Sequence, residues 1–156
     1  VLALSTGMRA NEILSLTWDR VDLMRGTALL EQTKNGERRV VPLVGPALEL
    51  LKERVQARRL DTALVFPGPR KPQQPIQIRG SWVKALERAE IEDFRFHDLR
   101  HSAASYLLMA GASPGELAEV LGHKTLAMVK RYSHLSESHA RGVVERMNRA
   151  IFGEGA

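Results

Sequence analysis

The sequence predicts a mainly α-helical α+β domain that contains a small three-stranded antiparallel β-sheet. Apolar residues recur at helical spacing over most of the chain, whereas residues 21–43 form three short strand-like runs separated by turn signals. The pair Asn35-Gly36 separates the second and third runs. Asn-Gly between two such runs is the strongest short-range signal for a β-hairpin.

The composition is typical of a globular protein and excludes several other classes. Hydrophobic residues make up 44% and charged residues 26% of the 156 residues, and this length favours one domain over residues 1–156. No apolar run approaches the roughly 20 residues of a membrane-spanning helix, so we expect no membrane partner. Cysteine is absent, which excludes disulfide frameworks and thiolate zinc sites and fits a reducing, cytoplasmic compartment.

The charge balance points to a polyanionic partner. Lys and Arg number 23 against 18 Asp and Glu, which gives a net charge of +5. Aromatic residues make up 5% of the chain and leave little material for the base-stacking surfaces of single-strand binders. We therefore expect contact with the phosphates of double-stranded DNA.

Two short helices are predicted at the start of the chain. The apolar opening Val1–Leu4 resembles a helix that has been cut open, so we expect the beginning of this helix to be absent. Gly7 is predicted to end it in a left-handed conformation. The second helix would present Ile13, Leu14 and Leu16 as its apolar face.

The three predicted strands are Val21–Met24, Thr27–Thr33 and Arg38–Leu43, with a first turn at Arg25-Gly26. Proline cannot donate a hydrogen bond to a neighbouring strand. Pro42 therefore places the third strand at an edge of the sheet.

Prolines mark the boundaries that follow the sheet. Pro46 is predicted to open a helix that runs to about Arg59. Residues 67–75 contain four prolines and are predicted to form an exposed loop. A further helix is predicted over Ile78–Ala89.

The next predicted helix is closed by Gly111. Its apolar stripe is predicted to consist of Leu99, Ala103, Tyr106, Leu107 and Ala110. Tyr106 at this spacing is interpreted as a structural tyrosine, while His97, Arg100 and His101 fall off the stripe.

Capping signals define the last helices. Ser113 and Glu116 form the pattern of a capping box with Pro114 between them, and Gly122 is predicted to end that helix. Thr125 is predicted to cap a helix through Tyr132, and Ser136 or Ser138 a final one. The apolar stripe of the final helix is Val143, Val144, Met147 and Ile151.

Two isolated cations allow a functional and a structural interpretation. Arg9 is predicted in the first turn of a helix, where the helix dipole disfavours a cation by a few tenths to about 1 kcal/mol. It is either a functional residue or an exposed arginine compensated by Glu12 three residues later. Lys34 is by itself typical of a solvated hairpin tip.

The segment from His97 to His101 places two imidazoles and one guanidinium within one helical turn. Such a cluster can bind a metal, with Asp98 and His123 as further ligands, or an anion. Arg100 favours the anion because its permanent charge would repel a divalent cation. On sequence alone, His123 is also explained as a histidine at a helix C-terminus, and Tyr132 as a residue that packs beside Val129.

Taken together, these motifs resemble the tyrosine recombinases of the phage integrase family. Residues 6–12, which read TGMRANE, resemble the first arginine motif, and Thr33-Lys34 resembles the hairpin lysine. His97 to His101 resembles the His-x-x-Arg box, Leu121-Gly122-His123 the second histidine motif, and Arg131-Tyr132 the nucleophile motif. The chain departs from the family at Ser102 and Val129, where threonine is frequent. We also expect the amino-terminal helical domain that clamps DNA in this family to be absent.

The resemblance implies a role for each matched residue and the catalytic-domain fold of these DNA breaking-rejoining enzymes. Tyr132 would attack the DNA and form a covalent 3′-phosphotyrosine, without ATP, metal or other cofactor. The catalytic residues implied are Arg9, Lys34, His97, Arg100, His123 and Tyr132, with Glu12 and His101 supporting them. Lys34 would protonate the departing oxygen, and His97 would accept the tyrosine proton.

The resemblance also implies partners and a location. The final helix either docks on its own domain or, as the resemblance implies, on a neighbouring copy. In the second case we expect a homo-tetramer on DNA assembled through the C-terminal helix, in the bacterial cytoplasm and associated with the nucleoid. The alternatives are an enzyme like the type IB topoisomerases, a catalytically silent DNA-binding module and a metal-dependent phosphohydrolase. Covalent trapping on DNA distinguishes an enzyme that cuts DNA through a tyrosine from the silent binding module. A requirement for a divalent metal identifies the phosphohydrolase.

Overall fold

The computed structural model describes residues 1–31, 38–123 and 137–153. The chain divides into two compact units, Val1–Ala103 and Ala104–Ala156. The elements in chain order are α1 (Leu2–Thr6), α2 (Ala10–Leu14), a short 3₁₀ turn (Trp18–Arg20), β1 (Val21–Asp22), β2 (Thr27–Glu31), β3 (Arg38–Pro42), α3 (Pro46–Gln56), α4 (Arg79–Arg88), α5 (Asp98–Met109), α6 (Pro114–Leu121) and α7 (Glu137–Phe152). Within the described ranges, no helix combines the length and the apolar character that crossing a membrane requires.

Helix α1 ends where the sequence predicts. Gly7 is in the left-handed conformation with φ of 63°, and its N–H donates to the Ala3 carbonyl over 3.1 Å. The Thr6 hydroxyl donates to the Leu2 carbonyl over 2.6 Å and accepts from the Met8 N–H over 3.2 Å. These bonds fix the turn at residues 6–8. They therefore also fix the direction in which the chain runs from α1 to Arg9.

The three-stranded antiparallel sheet is confirmed, with the order β1-β2-β3. β3 is an edge strand, as Pro42 predicts. β1 has two residues, fewer than the predicted run to Met24. Asp22 explains the early end, because its carboxylate accepts the N–H groups of Met24 and Arg25 and starts the turn. The predicted strand end at Thr33 and the Asn35-Gly36 turn lie outside the described residues.

The core of the first unit lies between the sheet and the helices α1, α2 and α3. Its fully buried side chains include Met8, Leu16, Val41, Leu43 and Leu51. α3 ends at Gln56 rather than near Arg59. All residues from Gln56 to Leu60 are exposed, with Leu60 97% exposed, so core packing does not support a further helical turn. Residues 67–75 form the predicted loop, closed by a bridge between its first and last prolines.

The buried face of α5 is rotated by about one residue from the predicted apolar stripe. Tyr106 is 63% exposed, so its interpretation as a structural core tyrosine is wrong. The buried side of α5 is instead formed by Arg100, Ala103, Ala104 and Leu108, with Leu107 partly buried. These positions follow the i, i+3, i+4, i+7, i+8 pattern of one helix face. The buried face of α5 therefore includes an arginine, which the predicted stripe did not contain.

The second unit contains α6, α7 and the part of α5 from Ala104 onward. The predicted capping box is present, because Ser113 Oγ accepts the Glu116 N–H over 3.2 Å and Glu116 Oε2 accepts the Ser113 N–H over 2.7 Å. Gly122 ends α6 with φ of 63°. The predicted helix from Thr125 to Tyr132 and the capping residue Ser136 lie outside the described residues.

Candidate active site

Arg9 is the N-cap residue of α2 and not a residue of its first turn. Glu12 holds it by two contacts: Oε2 accepts the Arg9 backbone N–H over 2.7 Å, and Oε1 accepts from Nη1 over 2.8 Å. The carboxylate also offsets the unfavourable interaction of the cation with the helix dipole. The Arg9 side chain is 40% exposed, so its guanidinium is both held and accessible.

Arg39 joins the same carboxylate and was not identified from the sequence. Its Nη2 donates to Glu12 Oε2 over 2.9 Å, and its side chain is 9% exposed. Burial is the main cause that lowers the pKa of Arg39, and the charge of Glu12 opposes it. The signal was available in the strand alternation, since Val41 and Leu43 are buried and Arg39 shares their side of the strand.

Arg100 lies in the first turns of α5 and is 4% exposed. Its Nη1 donates to the Gly7 carbonyl over 2.6 Å, a contact between residues 93 positions apart in the chain. Gly7 is two residues before Arg9. The fold thus attaches one predicted active-site arginine to the turn that carries the other.

His97 and His101 lie side by side. His97 is exposed and precedes α5 directly, and His101 follows one turn later. Their ring centroids are 5.1 Å apart, with an angle of 87° between the ring planes. The two rings therefore form a T-shaped, edge-to-face contact, and His97 remains exposed to solvent.

The Asp98 carboxylate, a possible metal ligand on sequence alone, is paired with Arg95. Its carboxylate accepts the Arg95 backbone N–H over 2.7 Å and pairs with the Arg95 guanidinium at 3.1 Å. Hydrogen bonds from the Arg95 side chain are the main cause that lowers the pKa of Asp98. Among the described residues, no group of three or more His, Asp or Glu side chains is arranged to hold a metal ion.

The remaining predicted site residues are placed as follows. His123 belongs to the second unit and follows Gly122 at the end of α6, with its backbone N–H donating to the Ala118 carbonyl over 2.8 Å. Lys34 and Tyr132 lie outside the described residues. Because Tyr106 is exposed, the choice of Tyr132 as nucleophile depends on its motif and not on the burial of Tyr106.

Both arginines of the predicted site, Arg9 and Arg100, thus lie in the first unit. A guanidinium carries forked N–H donors, which match the non-bridging oxygens of a phosphate better than a lysine ammonium does. In general, guanidinium groups stabilise the negative charge of a phosphodiester, and an imidazole can accept a proton from a nucleophile.

Comparison with known proteins gives a consistent result. The family model described as "Phage integrase family" matches residues 1–139. The chain is 35% identical over 162 residues to the integrase of Salmonella phage P22, a match that covers 97% of this chain and 42% of that protein. It is 40% identical over 139 residues to a shufflon-specific DNA recombinase of Escherichia coli, covering 86% of this chain and 33% of that protein. The chain therefore spans less than half the length of these relatives.

Among solved structures, the chain is similar to the catalytic domain of bacteriophage HP1 integrase. The TM-score is 0.69 and the sequence identity 28%, with 96% of this chain and 80% of that chain covered. The similarity extends over both units of the chain described above.

Proposed function

Because the chain belongs to the phage integrase family, we propose that it is the catalytic part of a tyrosine-type site-specific DNA recombinase. It would cut and rejoin double-stranded DNA through a covalent 3′-phosphotyrosine. The observation that carries the proposal is the bond from the buried Arg100 guanidinium to the Gly7 carbonyl. It links the His-x-x-Arg segment to the turn of Arg9, as a two-arginine phosphate site requires.

The two arginines act on the phosphate. A phosphodiester attacked by an oxygen gains negative charge on its equatorial oxygens, and fixed positive donors stabilise that charge. Arg9 and Arg100 perform this role without a metal ion, and His123 donates a further hydrogen bond to the scissile phosphate.

Proton transfer completes each step. The Tyr132 oxygen attacks phosphorus while its proton passes to His97, and the bond from phosphorus to the 5′ oxygen breaks. Lys34 gives a proton to this departing oxygen. Attack of a new 5′ hydroxyl on the phosphotyrosine reverses the step and releases Tyr132, so the energy of the bond is retained. The exposed position of His97 beside His101 supports its assignment as the proton acceptor.

Assembly on DNA is the second part of the proposal. Val144, Met147 and Ile151 on α7 are 51%, 50% and 63% exposed. An apolar stripe of this kind needs a surface that covers it, and we assign it to a neighbouring copy of the chain in a homo-tetramer on DNA. Residues 1–156 would act as one catalytic domain in each copy, at the nucleoid in the cytoplasm.

Covalent trapping tests the chemistry. The protein is incubated in excess EDTA with a pool of nicked DNA duplexes that have a randomised centre, and adducts that resist SDS are recovered. The nick lets the short strand diffuse away after cleavage, so the covalent intermediate accumulates. We expect wild-type protein to form the adduct and Tyr132→Phe to form none, because phenylalanine has no nucleophilic oxygen.

Tyr106→Phe is the matched control. Tyr106 is the only other tyrosine in the sequence and its side chain is exposed, so this variant should form the adduct at the wild-type rate. Adducts that persist in Tyr132→Phe and disappear in Tyr106→Phe would overturn the nucleophile assignment. Cleavage that is lost in EDTA and restored by a divalent metal, without an adduct, would favour the phosphohydrolase. Intact DNA binding with neither cleavage nor adduct would favour the silent binding module.

A further inference from the structure

We propose that Arg39 is a positioning residue for the cleavage reaction, and that it orients Arg9 through the carboxylate of Glu12. This inference rests on the proposed function, because it assigns Arg39 to the same site. Arg39 does not touch the phosphate in the proposal; it fixes the group that fixes Arg9.

The contacts form a chain of three side chains. Glu12 Oε1 accepts from Arg9 Nη1 over 2.8 Å, and Glu12 Oε2 accepts from Arg39 Nη2 over 2.9 Å. Oε2 also accepts the Arg9 backbone N–H over 2.7 Å. Both carboxylate oxygens are therefore engaged, and Glu12 cannot turn without breaking a bond to one of the two arginines.

Burial increases along this chain of contacts in the direction of the sheet. The exposed fraction of the side chain is 40% for Arg9, 18% for Glu12 and 9% for Arg39. Charge-assisted hydrogen bonds at the buried end are less exposed to competition by water than the bond at Arg9. The buried bond thus holds Glu12, and Glu12 in turn holds an arginine that remains accessible to DNA.

The sheet supplies the rigid support. Arg39 is paired with Leu30 in the register between β2 and β3, and the neighbouring inward-facing positions Ala28 and Val41 are 0% exposed. Its backbone position is therefore fixed by strand pairing and by the core packing of these neighbours. A side chain anchored on such an element places its partner more accurately than one on a loop.

Burying a guanidinium in an apolar core is unfavourable unless its charge is compensated. A leucine or valine at residue 39 would extend the core around Val41 without this cost. An arginine at this position is explained by its hydrogen bond to Glu12 and not by core packing. Arg38, the adjacent residue of the same strand, has a side chain that is 70% exposed and pairs at 3.8 Å with Glu31.

The test compares Arg39→Met with Arg38→Met, two changes from arginine to methionine on opposite faces of one strand. The rate of adduct formation is measured at saturating concentration of the nicked duplex recovered by trapping, and the Kd for the same duplex is measured separately. Because a small misplacement of a catalytic group slows a reaction strongly, Arg39→Met should lower the saturated rate by about tenfold to a hundredfold. Arg38→Met should leave that rate unchanged, and the Kd for Arg39→Met should stay near the wild-type value.

A second pair of variants separates positioning from a general loss of structure. If Arg39 acts through Arg9, its replacement should matter much less once Arg9 can no longer use its guanidinium. In an Arg9→Lys background, Arg39→Met should therefore slow the reaction by no more than about threefold, since mutations in one network are not additive. An equal slowing in both backgrounds would overturn the proposal.

Arg39→Lys covers the case in which Arg39→Met does not fold. Lysine keeps the charge but offers a single donor group in place of the guanidinium fork. We expect a rate between those of wild type and Arg39→Met, with a melting temperature near that of wild type. A wild-type rate in folded Arg39→Met or Arg39→Lys would overturn the inference alone, whereas absence of adduct with wild-type protein would overturn the proposed function.

Discussion

Arg9 and Arg100 have the same chemical role in the proposal but different positions in the fold. The Arg9 side chain is 40% exposed and paired with a carboxylate, whereas Arg100 is 4% exposed and donates to a backbone carbonyl. Removing Arg9 therefore breaks an ion pair near the surface, and removing Arg100 leaves a buried carbonyl with one partner fewer. The two arginines should be distinguishable by stability even where their effects on cleavage are alike.

We expect Arg9→Ala and Arg100→Ala each to slow adduct formation by a factor on the order of a hundred or more, because each removes a donor to the charged phosphate. Arg100→Ala should also lower the free energy of unfolding by about 1–3 kcal/mol, the cost of an unsatisfied buried group. Arg9→Ala should lower it by less than about 1 kcal/mol, as for exposed ion pairs. Urea denaturation and single-turnover cleavage measure the two effects.

Arg25→Ala is the control for a simple loss of positive charge, since the Arg25 side chain is 85% exposed on the turn between β1 and β2. It should change neither the free energy of unfolding nor the saturated cleavage rate appreciably. If Arg9→Ala and Arg100→Ala behave like Arg25→Ala, the two-arginine site is wrong.

At the scale of single elements, α6 shows how local sequence sets a helix boundary. Ser113 caps the helix, Pro114 occupies its first position and Gly122 ends it, all as predicted. Each feature acts within a few residues, so the boundary does not depend on which surface α6 packs against. The buried residues Leu117 and Leu121 then fix the side of α6 that faces the core of the second unit.

Two substitutions in the first turn of α6 should have opposite effects. Ser113→Ala removes the acceptor of the Glu116 N–H and should lower the free energy of unfolding by about 1 kcal/mol. Gly115→Ala should raise it by about 0.4–1 kcal/mol, because alanine restricts the unfolded chain more than glycine does. A Cβ at Gly115 would meet only Ser113 Oγ, at 3.9 Å. Urea denaturation checks both signs, and a stabilising Ser113→Ala would contradict the capping box.

For the whole molecule, the exposed stripe of α7 yields a prediction about assembly. Deleting residues 138–156 should impair the formation of higher-order complexes on DNA more than the binding of one copy to one site, since the stripe is assigned to contacts between copies. Native gels and light scattering measure the complexes, and a gel-shift titration measures single-site binding.

A matched variant tests the same stripe without shortening the chain. Replacing Met147 and Ile151 by serine removes apolar surface that is already exposed, so the fold of a single copy should be retained. Tetramers that form as well as with the intact protein would show that α7 serves only its own copy.

Short-range sequence signals determined most of the fold and the family. The glycines that end α1 and α6, the capping box, the edge proline and the three strands act through near neighbours in the chain, and each is confirmed where the structure describes it, with β1 shorter than predicted. The phage integrase resemblance is also confirmed, because its motifs are read from residue identity and spacing. The roles of Arg9, Lys34, His97, Arg100, His123 and Tyr132 stay predictions.

Tertiary structure alone decided which side chains meet. The pairing of Arg100 with Gly7 joins residues 93 positions apart, and that of Arg39 with Glu12 joins residues 27 apart. The error at Tyr106 has the same origin: α5 can be rotated by one residue and still show an acceptable apolar stripe. Periodicity fixes that a helix has a buried face, but the neighbours that pack against it determine which residues that face contains. In α5 those neighbours accept a buried arginine because a carbonyl at Gly7 is there to receive its hydrogen bond.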